Sequence, residues 1–276
     1  AENLDVRFER RERNQLVSIK VDGEELLAAP MRPNFWRALT DNDRGNRAGS
    51  RLGCWRDAGD TPGIYNNTCW SIENYRILED GKKVVVTSGA TVRTQPESKA
   101  QVVYTITSKG VEIDMQFFPD DTLPEIPEVS LLFELPKDFE QVVYLGNGPE
   151  ENYIDRKNAC CVGLYSTTVS DMWTPYLKPQ ECGNRTGVRY ATLIGERKAL
   201  TFIAEPVMEF NAAHWLPKEI EETWHQKDMP EINKTVVRCI ARQQGVGGYD
   251  SWGAHCNDMY KNHTDKTYRL KFQIRF

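Results

Sequence analysis

The sequence of 276 residues contains no apolar run of the roughly 18–20 residues that a membrane-spanning helix requires, so we expect no membrane segment. It shows no charged-then-apolar segment at its start, so we expect no signal peptide within it. A basic excess is also missing, because 35 Lys and Arg stand against 40 Asp and Glu, which gives a net charge of −5. That balance argues against a nucleic-acid partner.

Common catalytic and metal-binding motifs are missing as well. The four histidines form no HExxH pair, and there is no GxSxG elbow, Walker A loop or CxxC pair. We therefore expect no catalytic residue and no metal or other cofactor in this chain. The seven cysteines are irregularly spaced, which favours free thiols and a cytoplasmic location. A signal peptide on an upstream part would instead make the protein periplasmic.

Alternation of apolar and polar residues is the strongest local pattern, and it is clearest in 111–118 and 268–276. A period of two predicts antiparallel strands with one buried face. Asp80–Gly81 and Lys109–Gly110 predict tight hairpin turns. Further short β-rich runs lie at 4–8, 15–21, 70–78, 83–92, 101–108, 129–135, 141–145, 160–168, 187–194, 199–205 and 235–241.

One segment predicts a helix. Pro217 suits a first helical turn, glutamates follow it, and Ile220 and Trp224 would share a face four residues apart. We expect this helix to end by 228–230, where a proline follows. The many short strands, with no linker and no internal repeat, predict a single all-β domain over 1–276 with one short helix.

Four segments between the strands are too long for plain connectors, and long ordered loops are often functional. They are 33–45, 146–156, 171–185 and 245–253. The first resembles a calcium loop through Asp41-Asn42-Asp43. However, an EF-hand requires glycine and glutamate at its sixth and twelfth positions, where Asn46 and Leu52 stand. This segment is either a polar loop closed by its own side chains or the lining of a cleft.

The other three segments leave alternatives open. Glu150–Glu151 is a poor catalytic pair, because adjacent residues of an extended chain point to opposite faces, whereas a retaining glycosidase needs carboxyls facing each other about 5–5.5 Å apart. The segment 171–185 suits sugar recognition and a polar interface equally. In 245–253, the glycines around Trp252 favour an exposed platform for the apolar face of a sugar, although a packed core tryptophan is the alternative.

Together the four segments resemble one family closely, in order and over nearly the whole chain. This family is the carboxy-terminal domain, or small chain, of bacterial β-galactosidases of glycoside hydrolase family 2. The matching stretches are PNFWRALTDND, GNGPEENYIDR, DMWTPYLKPQECGNR and GVGGYDSWG. The resemblance implies a β-supersandwich of antiparallel strands of the galactose-mutarotase-like type. It also implies that the catalytic glutamates, and any magnesium or monovalent cation, belong to a separate (β/α)₈ barrel domain.

The resemblance also implies site residues. Trp252 would be the substrate platform, with Asp250 and Ser251 beside it. A mobile active-site loop would contain Asp41, Asn42, Asp43 and, as its hinge, Gly45. Leu39 and Tyr249 depart from residues common in the family. The remaining cleft candidates are Asn34, Arg37, Asn152, Tyr153, Arg156 and Tyr176.

The function implied is that of a non-catalytic domain of an enzyme that hydrolyses terminal non-reducing β-D-galactose residues. Its expected partners are a lactose-like β-galactoside, the catalytic barrel or a large subunit, and further copies in a homo-oligomer. One competing hypothesis is a free-standing galactoside-binding module. Another is a sugar mutarotase or epimerase, which shares the implied fold but needs an acid and a base in one cup. A purely structural interface role is also open.

Overall fold

The computed structural model describes residues 3–9, 16–58, 68–249 and 253–276, with the side chains of 68–71 left out. Within these ranges the chain is built mainly from antiparallel strands. Their bounds are β1 (Leu4–Phe8), β2 (Leu16–Val21), β3 (Glu24–Glu25), β4 (Ala29–Asn34), β5 (Thr68–Leu78), β6 (Lys83–Val92), β7 (Ser98–Thr107), β8 (Gly110–Phe118), β9 (Glu128–Pro136), β10 (Gln141–Gly148), β11 (Cys161–Thr168), β12 (Arg185–Ile194), β13 (Ala199–Ala213), β14 (Lys234–Gln243) and β15 (Tyr268–Arg275).

The two clearest alternating segments are neighbouring strands. β8 pairs with β15 in antiparallel register, with Ile113 opposite Phe272. Both of these side chains are fully buried, as the period of two predicts. The hairpins expected at Asp80–Gly81 and Lys109–Gly110 connect β5 to β6 and β7 to β8. The all-β, antiparallel fold class is therefore confirmed.

One large sheet contains twelve strands, and it branches at β13. Its main path runs β11-β10-β12-β13-β15-β8-β7-β6-β5. The first part of β13 pairs with β15 and its last part pairs with β14, which continues to β9 and β4. β1, β2 and β3 form a separate small sheet. The branching lets β9 pack against the main path of the same sheet.

Aromatic side chains fill the space between the branches. Phe133 of β9 lies 5.4 Å from Phe202 of β13 and 6.1 Å from Phe272 of β15, measured between ring centroids. All three rings are fully buried. They belong to one apolar cluster that extends along both branches of the sheet.

The helices are short, and only one of them was predicted. α4 (Pro217–Glu222) begins at the expected proline but ends before Thr223, whose backbone is extended. Trp224 is therefore not on the helix and is 75% exposed, so the expectation that it shares a helix face with Ile220 is wrong. The unpredicted helices are α1 (Asp41–Gly45), α2 (Ala48–Arg51) and α3 (Gly53–Ala58).

Two further expectations can be compared with the fold. No helix among the described residues is long and apolar enough to cross a membrane. The cysteines with described side chains are all free thiols, namely Cys54, Cys160, Cys161, Cys182, Cys239 and Cys256.

Candidate functional site

The segment expected to be a mobile active-site loop is a helical turn, α1. Thr40 caps it, because its hydroxyl accepts a hydrogen bond from the N–H of Asp43 at 3.1 Å, while the Asp43 carboxylate accepts one from the N–H of Thr40 at 3.1 Å. These reciprocal bonds satisfy N–H groups that a helix start would otherwise leave free. The sequence did not predict this helical turn, since a turn this short shows no apolar periodicity, and a role of Asp41, Asn42, Asp43 and Gly45 beside an active site stays a prediction.

Arg37 and Asp43 form a buried ion pair, with 3.1 Å between Nη2 and Oδ2 and side chains only 1% and 6% exposed. The Arg37 guanidinium also donates to the carbonyl oxygens of Gln244 at 2.6 Å and Gly245 at 3.1 Å. Burial alone would lower the pKa of Arg37, but the Asp43 carboxylate opposes this and the pKa is raised overall. A permanently charged Arg37 therefore ties the first segment to the fourth.

The glycine-rich fourth segment is held from two further sides. The Asp155 carboxylate accepts hydrogen bonds from the N–H groups of Val246 at 3.0 Å and Gly247 at 2.9 Å. The side-chain amide of Asn42 donates to the carbonyl oxygen of Val246 at 3.1 Å. The second segment and α1 thus fix the backbone that leads into residues 250–252.

Gly253, which follows residues 250–252 in the sequence, lies close to the backbone of Gly45. Gly253 has a φ of +85°, and a Cβ atom added to it would lie 2.8 Å from the carbonyl carbon of Gly45. Only glycine fits there without a shift of the backbone. The predicted platform residues Asp250, Ser251 and Trp252 lie outside the described residues.

The third segment joins the same assembly. The N–H of Asp41 donates to the side-chain oxygen of Gln180 at 2.9 Å, and Arg44 donates to the carbonyl oxygen of Pro179 at 3.0 Å. The N–H of Gly183 donates to the Glu151 carboxylate at 2.7 Å. All four segments selected from the sequence therefore meet through their described residues, and we call this assembly of 34–45, 147–156, 179–185, 244–249 and Gly253 the motif face.

A buried polar network lies beneath the motif face. Arg238 contacts Glu128 at 2.5 Å and Glu181 at 2.6 Å, and both carboxylates are nearly inaccessible. The amide of Gln243 donates to Glu128 at 2.7 Å, and the amide of Asn34 donates to it at 2.8 Å. Burial raises the pKa of Glu128, although the Arg238 charge opposes the rise. These bonds engage the Arg238 guanidinium and the Glu128 carboxylate with partners within the chain.

Glu209 extends this network as a third buried carboxyl. It accepts hydrogen bonds from the Asn184 amide at 2.8 Å and the N–H of Gln243 at 3.1 Å. These bonds favour the charged form, but burial outweighs them and raises the pKa of Glu209 to about 7. No cation is paired with this carboxyl among its hydrogen-bond partners in the described structure.

Three of the predicted cleft residues are buried in this chain, namely Arg37, Asn152 and Tyr153. Asn152 acts as a connector: its amide donates to the carbonyl oxygens of Asn147 and Glu150, and its oxygen accepts from the N–H and hydroxyl of Thr186. Asn34 is half-buried in the network around Glu128. These side chains therefore support the motif face from below.

Two other cleft candidates have accessible side chains. Arg156 is exposed, pairs with Glu151 and lies with its guanidinium carbon 5.6 Å from the ring centroid of Tyr153. Tyr176 is half-buried, and burial raises the pKa of its phenol. Of these six cleft candidates, Arg156 and Tyr176 are therefore the best placed to contact another molecule.

Several residues that build the motif face were not predicted, above all Asp155, Glu181 and Arg238. Asp155 and Glu181 stand inside the segments that were singled out, but their spacing does not indicate which backbone or cation they reach. Arg238 lies within the regular strand β14, where nothing in the sequence separates it from surface arginines. Among the described residues, no group of three or more His, Cys, Asp or Glu is arranged to hold a metal ion.

The family model described as "Beta galactosidase small chain" matches residues 1–274. This chain belongs to that family. The β-galactosidase of Priestia megaterium is 34% identical over 275 residues, which is 99% of this chain but 26% of the relative. The β-galactosidase small subunit of Latilactobacillus sakei is 29% identical, over 94% of this chain and 89% of the relative.

The small-chain family assignment agrees with the fold. A galactose mutarotase related enzyme from Lactobacillus acidophilus superposes with a TM-score of 0.51 at 11% identity, covering 100% of this chain and 95% of that one. This likeness confirms the galactose-mutarotase-like fold and nothing beyond it. The chain spans about a quarter of the length of the long β-galactosidases that it matches.

Proposed function

We propose that this small chain is the non-catalytic part of a β-galactosidase that hydrolyses terminal non-reducing β-D-galactose residues. The observation that carries the proposal is the motif face, where four distant segments of the chain converge on the backbone that leads into Trp252. A chain that served only as a spacer would not need so many hydrogen bonds between distant segments at this one place.

The carboxylates support the absence of catalysis in this chain. Glu128, Glu181 and Asp43 are buried and engaged with arginines, and Glu209 is held by amides. A retaining pair needs two carboxyls facing the substrate about 5–5.5 Å apart. The Glu151 carboxylate accepts a hydrogen bond from the N–H of Gly183 and pairs with Arg156, so it is already engaged and does not form a catalytic pair with Glu150. In this proposal the acid and nucleophile therefore belong to the remaining three-quarters of the enzyme.

Trp252 is the proposed platform for the sugar, with Asp250 and Ser251 beside it. Asp41, Asn42 and Gly45 would contribute the rim next to it through α1. Burying about 60 Å² of apolar surface on one ring corresponds to roughly 1.5 kcal/mol, or about tenfold in affinity. Trp252 thus aids binding in a site completed by the catalytic barrel or large subunit, which would also hold any magnesium or monovalent cation.

The deciding experiment is Trp252→Ala in the complete enzyme, with Trp252→Phe as the matched control. Loss of the ring should raise KM for lactose and aryl galactosides tenfold or more, whereas phenylalanine should retain much of the stacking surface. A wild-type KM in the alanine variant would remove the platform role. We also expect a clean preparation of the isolated chain, made in a host without β-galactosidase, to hydrolyse neither substrate.

Two cheaper measurements separate the competing functions. Calorimetry with lactose would favour a free-standing sugar-binding module if the isolated chain bound more tightly than about 1 mM, since one tryptophan alone should not reach that affinity. Polarimetry on fresh α-galactose would reveal a mutarotase. We expect neither result. For mutarotation, the buried His214 is poorly placed to act as acid or base, because in the described structure its two ring nitrogens are bonded to Ser170 and to the Lys234 carbonyl oxygen.

A further inference from the structure

Two large apolar side chains lie exposed at the border of the motif face. Leu177 is 90% exposed and Trp224 is 75% exposed. They belong to one patch, because the N–H of Gln226 donates to the Leu177 carbonyl oxygen at 3.1 Å and the Lys178 ammonium lies 5.0 Å from the Trp224 ring centroid. A leucine and a tryptophan left together in water are a costly surface for a monomer to keep.

The backbone under this patch is fixed. The Lys178 ammonium donates to the carbonyl oxygens of Glu221, at 2.7 Å, and Thr223, just after α4. The indole of Trp173 donates to the Gln226 side chain at 3.2 Å, and its ring packs 5.0 Å from that of Trp215. A partner would therefore meet a preorganised backbone, which lowers the entropy lost on binding.

The patch is continuous with the motif face along the chain. Pro179 and Gln180 follow Leu177 closely, and they bind Arg44 and Asp41 of α1. A protein domain that covers α1 would therefore also contact Leu177. The patch therefore belongs to the side of the molecule where the remainder of the enzyme is expected.

We propose that Leu177 and Trp224 are the apolar anchors by which this chain binds the catalytic part of β-galactosidase. The inference rests on the function proposed above and names the contact surface that it requires. The chain matches both a quarter of a continuous β-galactosidase and most of a protein named as a small subunit. Where no peptide bond joins the two parts, side-chain contacts must hold them, and buried aromatic anchors are the usual means.

The test is photo-crosslinking in the complete enzyme. A p-benzoylphenylalanine introduced in place of Leu177 should crosslink to peptides of the catalytic part, identified by mass spectrometry. The matched control carries the same group in place of Tyr75, which is 58% exposed on the distant strand β5. Crosslinks only to peptides of another copy of residues 1–276, or no crosslinks at position 177, would overturn the proposal.

A second variant tests the role of the tryptophan. Trp224→Glu should lower the crosslink yield from position 177 at least fivefold, whereas Tyr75→Glu should leave it unchanged. An unchanged yield with Trp224→Glu would show that Trp224 is not an anchor. Because the readout is a crosslink, it is separate from the KM measurement on Trp252. If that KM effect holds while the crosslinks fail, only the docking surface is wrong.

Discussion

Arg37 and Asp43 form an almost fully buried ion pair, with 3.1 Å between guanidinium and carboxylate, and each partner also holds a different piece of backbone. Arg37 binds the carbonyl oxygens of Gln244 and Gly245, while Asp43 caps α1 through the N–H of Thr40. The pair therefore couples the helical turn to the glycine-rich segment. Removing either charge would leave the other buried without its counterion.

The first prediction concerns this pair. Asp43→Asn should lower the free energy of unfolding by about 3–5 kcal/mol, the usual loss when one partner of a buried ion pair is removed. Urea denaturation of the chain monitored by tryptophan fluorescence would measure it. Asp5→Asn, which breaks the exposed pair of Asp5 with Arg7, is the control and should have far less effect. Equal losses in the two variants would contradict the structural role of the Arg37–Asp43 pair.

Strands were predictable from the sequence, whereas connections between distant residues were not. Ile113 and Phe272 reveal their strands because apolar residues on a half-buried sheet must alternate. α1 was missed, although the reciprocal cap of Thr40 and Asp43 is a local signal that the sequence contains. Arg238 pairs with Glu128 across 110 positions, and no local pattern encodes such a contact.

For the candidate site, too, the segments could be found from the sequence, whereas the contacts of their side chains could not. The unusual composition of the four segments was enough to single them out, because glycines, aromatics and paired polar residues outside strands are uncommon. Their roles were less predictable. Asn152 and Tyr153 were expected to line a cleft but are buried. Asn152 shows why, since a polar side chain in a loop can bond the backbone as readily as a ligand.

A second prediction follows from Glu209, whose pKa burial raises from 4.5 to about 7. The folded protein retains a proton that the unfolded chain releases, so this contribution to stability is complete below about pH 4.5 and disappears as the pH rises through 7. The contribution of Glu209 to the free energy of unfolding should fall by roughly 3 kcal/mol between about pH 4.5 and pH 7.

Glu209→Gln isolates the contribution of that proton. The glutamine does not titrate, but it offers one acceptor oxygen to the two N–H donors, so the stability of the variant relative to wild type should rise by roughly 3 kcal/mol from pH 5 to pH 8. Urea unfolding at pH 5, 6, 7 and 8 would measure both proteins under matched salt. A constant difference between them across this range would exclude titration of Glu209 as the cause.

The third prediction concerns Asp155, which accepts two successive N–H groups of the segment leading to Trp252. In the complete enzyme, Asp155→Ala should raise KM several-fold with a smaller change in kcat, because the platform would be less well positioned. Asp155→Asn, which keeps one acceptor oxygen, should fall between the alanine variant and wild type. Asp265→Ala removes an exposed carboxylate elsewhere and serves as the charge control. A wild-type KM for Asp155→Ala would show that the two hydrogen bonds accepted by Asp155 do not contribute to substrate binding.

The fourth prediction tests the close approach of Gly253 to Gly45 with a pair of glycines. Gly253 and Gly23 have nearly the same φ, +85° and +83°, but a Cβ at Gly253 would meet the Gly45 backbone at 2.8 Å while one at Gly23 would meet nothing within 4 Å. Both alanine variants therefore incur the same conformational strain, of order 1 kcal/mol, and only Gly253→Ala adds a clash with α1. In the complete enzyme, Gly253→Ala should raise KM for aryl galactosides well above the value for Gly23→Ala, because the clash displaces the segment that carries Trp252. Equal KM values with equal losses of melting temperature would show that the contact between these two glycines does not position the site.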